Sequence, residues 1–134
     1  MSDDRYGDGM ATRRAVLGEA YVEAAEARKN AFTLDFQRFI TEGAWGSVWA
    51  RPNITRRERS MITIALLASL GHWKELAIHI RATRNTGASP DDIKEALLHV
   101  AVYAGVPAAN RAFAIAKDVL DENDEATSQS GDEE

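Results

Sequence analysis

Residues 55–81 read TRRERSMITIALLASLGHWKELAIHIR, two helices in succession. The uncharged run at 61–70 is ten residues long, too short to cross a bilayer, and so predicts a helix packed in a protein interior. Gly71 is expected to end it. The helix that follows carries His72, Glu75 and His79 at i, i+3 and i+7, which places all three on one face. Any chemistry in the chain is expected on that face.

Working outward, Thr55-x-x-Glu58 before the apolar run is a capping-box pattern, so the buried helix is predicted to start at Arg56. Downstream, Gly87 suits the left-handed position after a helix end. Ser89-Pro90-Asp91-Asp92 then supplies a serine cap, proline at the first helical position and acids in the first turn. That helix should run to about Ala104, with Ile93, Leu97 and Val100 on one side. Gly105-Val106-Pro107 forms a corner, and a last helix carries Ala109, Phe113, Ala116 and Leu120. Upstream, residues 10–29 read as one helix and 31–42 as another, with Phe32, Phe36, Phe39 and Ile40 on one face. Gly43, Gly46 and Arg51-Pro52-Asn53 should break regular structure, leaving Trp45 and Trp49 on a short turn of helix. No β-type alternation or hairpin signal occurs. The expected fold is all-α: one domain of about six helices over 10–120, with a loose segment at 1–9 and an acidic disordered tail at 121–134.

With 134 residues, one domain is the simplest arrangement and can bury a real core. Contents of 45% hydrophobic and 28% charged residues are ordinary for a soluble globular chain. The absence of cysteine excludes disulfides, thiol redox chemistry and Cys-ligated metal. The opening MSDDRYGDGM is polar and acidic, unlike a secretory signal, and a cytoplasmic location is expected. Seven of the 21 acids lie in residues 121–134, which hold no base, so residues 1–120 carry 16 basic against 14 acidic groups. A mildly cationic body suits a small anionic ligand and is too weak a signal for nucleic acid; no membrane partner is expected either.

Three readings stand for the His72, Glu75, His79 face. Two histidines and a carboxylate are zinc-ligand types, although the spacing is not the HExxH of zinc peptidases. A Glu75–His79 pair at i,i+4 can be plain surface electrostatics. Alternatively, Glu75 orients His79 and raises its pKa for general acid or base work. His99, within LLHVAVY, reads as a core or interface histidine, and Glu58 as a capping partner. Trp45, Trp49 and Tyr103 read as core or interface aromatics. Arg59 begins an otherwise apolar helix and Arg81 follows an apolar stretch, places where arginine takes a carboxylate from protein or ligand. Residue types alone therefore give a His/Glu/Arg cluster suited to a small carboxylate. They do not give the reaction.

Five segments extend this reading: RYGDGMATRRAVLGEAYV, AWGSVWARP, RSMITIALLASLG, ELAIHIRATRNTGAS and VAVYAGVPAANRAF, in that order over residues 5–120. In these the chain resembles the carboxymuconolactone decarboxylase family, and RRAVLG with AWGSVWARP looks like its decarboxylating members in particular. The resemblance implies an alkylhydroperoxidase D-like helical fold assembling as a ring-like homohexamer or homotrimer. Where peroxidase relatives carry Cys-x-x-Cys-x-x-x-His, this chain reads His72-x-x-Glu75-x-x-x-His79, so thiol peroxidase activity is excluded. The implied activity is conversion of 4-carboxymuconolactone to beta-ketoadipate enol-lactone and CO2 without cofactor or metal. His79 and Glu75 would be catalytic, and Arg59, Arg81, Tyr103 and Arg51 would bind substrate, with Arg13 and Arg14 as weaker candidates. The alternatives are the same fold acting on another small carboxylated lactone, a metal hydrolase, or a non-catalytic helical oligomer.

Overall fold

The computed structural model describes residues 4–132, with side chains described through residue 124. The described residues are helical throughout, without strands: α1 (Arg5–Leu17), α2 (Glu19–Arg28), α3 (Leu34–Ile40), a π-helical segment (Thr41–Trp49), α4 (Arg56–Leu70), α5 (Trp73–Arg81), α6 (Thr83–Thr86), α7 (Pro90–Tyr103) and α8 (Val106–Asp132). Contacts gather into two compact units, one through Arg59 and the other from Ser60.

In the first unit, α1 packs along the π-helical segment. The approach is close enough that a Cβ at Gly9 would collide with the Thr41 carbonyl oxygen, and one at Gly46 with the Arg5 carbonyl oxygen. Trp45 and Trp49 are buried with ring centroids 5.2 Å apart. The expectation that Gly43 and Gly46 interrupt the helix is therefore corrected. The backbone widens into i→i−5 bonding, as in Ala50 N–H to the Trp45 carbonyl at 2.9 Å, and Gly46 is the point where α1 comes in. The single helix expected over 10–29 is two, because Gly18 takes φ of 95° and lets the chain turn between α1 and α2.

Nor is the segment before residue 10 loose where it is described. Asp4 caps α1 by accepting from Gly7 N–H at 2.8 Å, so helix begins at Arg5; residues 1–3 lie outside the described residues. Residues 121–132 of the expected tail belong to α8. α8 continues to Asp132, and Asp121 pairs with Lys117 one turn back at 3.2 Å. Residues 133–134 of the expected tail lie outside the described residues.

The second unit is built around Ile64 and Ala68 of α4, Leu76 and Ile80 of α5, Ile93 and Leu97 of α7, and small residues of α8. Its helix ends follow local chemistry. Thr55 and Glu58 exchange capping bonds at 2.9 and 3.1 Å, as do Ser89 and Asp92 at 2.9 and 3.1 Å. Gly71, at φ of 75°, closes α4 with His72 N–H on the Leu67 carbonyl and its own N–H on the Ala68 carbonyl, the Schellman pattern. Within the core, Ser60 Oγ donates to Thr86 Oγ1 at 2.7 Å.

The close α1 contact gives a direct test. Gly9→Ala forces backbone apart and should lower unfolding stability by about 1–3 kcal/mol, read from urea denaturation. A midpoint unchanged from the parent would mean that α1 and the π-helical segment do not approach this closely.

Candidate active site

Leu76 and Ile80 are fully buried, and Trp73 and Ala77 pack against the same core, which fixes the rotation of α5 about its axis. His72 falls at the N-cap, exposed and making no side-chain cap bond. Glu75 is exposed, and His79, one turn on, is half-buried with its Nδ1 atom buried. Burial pushes the His79 imidazole down from 6.5 to about 4, while the Glu75 carboxylate pulls it upward more weakly. The expectation that Glu75 raises the pKa of His79 is thus corrected in its net sense. The carboxylate acts in the expected direction, but desolvation outweighs it, and His79 is a neutral imidazole at pH 7.

The arginines are differently engaged. Arg81, at the end of α5, reaches Glu122 of α8 at 3.1 Å, a partner supplied by the protein from 41 residues away. Arg59 donates from Nη2 to the Arg51 carbonyl at 3.0 Å, while its Nε is buried with no hydrogen-bond partner among the described residues. Arg51 contributes that carbonyl and leaves its side chain exposed. Arg13 is buried against Glu26 at 3.5 Å and Arg14 pairs with Glu19 and Glu23, so both serve α1–α2 packing. Tyr103 is 84% exposed at the end of α7 and stacks on the exposed His99 with centroids 6.3 Å apart. Neither is a core residue. Glu58 is held below the usual carboxylate range by its bonds from the Thr55 N–H and hydroxyl, as a capping partner should be. No three His, Asp or Glu side chains converge on a metal position among the described residues.

The sequence profile of the carboxymuconolactone decarboxylase family matches residues 35–118. The chain belongs to the carboxymuconolactone decarboxylase family. It is 46% identical over 121 residues to a 4-carboxymuconolactone decarboxylase of Acinetobacter baylyi, covering 90% of each chain. It is 38% identical over 117 residues to nitrosuccinic acid decarboxylase npaB of Metarhizium robertsii, covering 87% of this chain and 82% of that one. A 4-carboxymuconolactone decarboxylase sequence from Pseudomonas putida is 48% identical over 42 residues, 31% of this chain and 88% of that sequence. The profile match spans α3 to α8 of this family member, including Glu75, His79 and the arginines at 51, 59 and 81.

The depressed His79 pKa makes a pH prediction. Between pH 6.5 and 4 the unfolded chain binds a proton that the folded chain resists. This contribution is therefore fully present above about 6.5 and is lost as pH falls, by up to roughly 3 kcal/mol. Urea midpoints at pH 7.5 and 5 should fall further apart in the parent than in His79→Gln. Equal declines in the two proteins would show that His79 is not desolvated.

Proposed function

We propose that this protein is a carboxy-lyase converting 4-carboxymuconolactone to beta-ketoadipate enol-lactone and CO2. The observation that carries the reading is 46% identity over 90% of both chains to a protein of that name. The 38% identity to a decarboxylase of a different acid favours one alternative, the same reaction type on another small acid.

The chemistry asks little of a cofactor. The departing carboxylate sits on the ring carbon joined through C=C to the lactone carbonyl. When its C–C bond breaks, the electron pair moves through the double bond toward that carbonyl, and the carbon beside the carbonyl takes up one proton. The protein must bind the remaining carboxylate, stabilise the developing oxyanion and supply the proton. Poor solvation of the departing carboxylate helps further, because the charge is better tolerated once delocalised.

His79 delivers the proton in this proposal, and Glu75 holds its ring. A neutral imidazole has no proton to spare, so charge must arrive with the substrate. A dianion bound beside His79 raises its pKa, so the imidazole takes a proton from water as the substrate binds and passes it to the carbon beside the carbonyl. Arg59 binds a carboxylate or the oxyanion; its buried Nε donor supports the role. For Arg81 to bind substrate, the ligand must compete with Glu122. Arg51 and Tyr103 are exposed and complete the set. The same reading takes residues 10–120 as the catalytic domain, places the enzyme in the cytoplasm, and makes it a homohexamer or homotrimer. Among the described residues no helix is long and apolar enough to cross a membrane.

Purified, EDTA-treated protein mixed with fresh 4-carboxymuconolactone should form enol-lactone far above the uncatalysed rate, and His79→Gln should fold and lose on the order of 10² or more in kcat. No turnover by the folded parent would overturn the substrate, and near-parental turnover by the variant would move the proton to another group. Arg59→Lys, which keeps the charge and loses the planar fork, should raise KM about tenfold with little change in kcat. An unchanged KM removes Arg59 from the site.

A further inference from the structure

Between α7 and α8 lies a groove that no step of the proposed reaction uses. Helical spacing makes it. One face of α7 contributes the residues at 93, 94 and 97, and one face of α8 those at 113, 116 and 117. Ile93, Leu97 and Ala116 are buried and form its floor, while Phe113 is exposed beside them. The volume is 280 Å³, and none of Arg59, Glu75, His79 and Arg81 lines it.

The charged groups of the groove stand in solvent. Lys94 comes from α7, and Lys117 and Asp121 come from α8. Lys94 pairs with Asp91 at 3.3 Å and Lys117 with Asp121 at 3.2 Å, each within its own helix, so neither pair crosses the groove. All four side chains are more than half exposed. Ion pairs so exposed hold their partners weakly, and each ammonium has further N–H groups to offer.

We propose that this groove binds an amphipathic monocarboxylate: an aromatic ring on a short hydrocarbon arm that ends in one carboxylate. Size is the first reason. An apolar cavity of about 150 Å³ holds a benzene ring, so this groove holds a ring with its arm. The lining is the second, because an aliphatic floor beside Phe113 lets a ring pack against both. Charge is the third. A carboxylate at the mouth accepts from Lys94 on one wall and Lys117 on the other, and so links the two helices where the protein's own ion pairs do not. Asp121 sets the limit at one charge, since a second carboxylate would meet it. The diacid proposed above as substrate is disfavoured here for that reason, and the groove is independent of the decarboxylation reading.

Isothermal titration of the full chain with 3-phenylpropanoate tests the assignment, with 3-phenylpropanamide as its uncharged counterpart. The acid should bind once per chain with a Kd on the order of 0.1 mM, and about tenfold more tightly than the amide. Lys94→Glu and Lys117→Glu should each weaken the acid about tenfold or more and leave turnover of 4-carboxymuconolactone unchanged. His79→Gln should bind the acid as the parent does. Absence of saturable binding, equal binding of acid and amide, or parental affinity in both lysine variants overturns the site. Loss of binding in His79→Gln overturns it too, by placing the acid on α5. Should circular dichroism show that a charge reversal costs helix, Lys94→Gln and Lys117→Gln decide by the same loss of affinity, since they remove the ammonium without adding a carboxylate.

Discussion

Leu76 and Ile80, one turn apart and both without solvent contact, set what the rest of the second unit can do. Once these two side chains are seated among Ile64, Leu97 and the alanines of α8, the rotation of α5 is no longer free. Helical geometry then assigns Glu75 to the open side and His79 to the boundary. The Schellman turn at Gly71 delivers the chain into α5 straight from α4, which is not the wholly interior helix its uncharged run predicts: Ile64 and Ala68 are buried, whereas Ile62, Leu66 and Leu70 are exposed. The core contacts are nonspecific in kind, and the geometry they impose is specific.

That boundary position creates a contest at His79 between loss of water and attraction to Glu75. A fully exposed histidine would feel the carboxylate weakly and keep its ordinary titration. A fully buried one would need a permanent partner. Half-burial beside a carboxylate that remains in solvent lets water loss win, which leaves the imidazole neutral until further negative charge arrives. The arginines show the same economy of partners. Arg81 is satisfied by Glu122, while Arg59 keeps a buried donor in reserve.

What the sequence discloses and what it hides divide along locality. The capping box at Thr55 and Glu58, the serine cap and proline start of α7, and the glycines at 71 and 87 are legible because each depends on residues within one turn. The face shared by Glu75 and His79 was legible for the same reason. The π-helical segment was not, because its widening goes with α1 arriving at Gly46 from some forty residues upstream. The break at Gly18 hides in an alanine-rich run where a helical glycine and a turning one read alike. Capping by Asp4 and the persistence of α8 into an acidic stretch stay hidden because polar, acidic composition resembles that of disordered chain. Charge at His79 and the engagement of Arg81 are sums over distant groups; spacing gives the neighbours along a helix and says nothing of how much water each has lost. The exposed phenylalanines show the same limit, since an apolar stripe on a helix specifies that it needs cover without saying from which side.

The reach of Arg81 to Glu122 also bears on how an anion could approach. Glu122 holds the arginine within an acidic stretch of α8, on a chain whose formal net charge is −5. At long range such a protein repels a dianion, and only within a Debye length, about 8 Å at physiological salt, does a guanidinium dominate what the ligand feels. Capture is then a short-range event behind a diffuse barrier, and dissolved salt acts on the two oppositely. Modest ionic strength lowers the barrier and speeds encounter, while higher ionic strength screens the guanidinium and hastens escape. The acidic end of α8 thus makes the field that an approaching anion meets a function of the medium as well as of the nearest side chain.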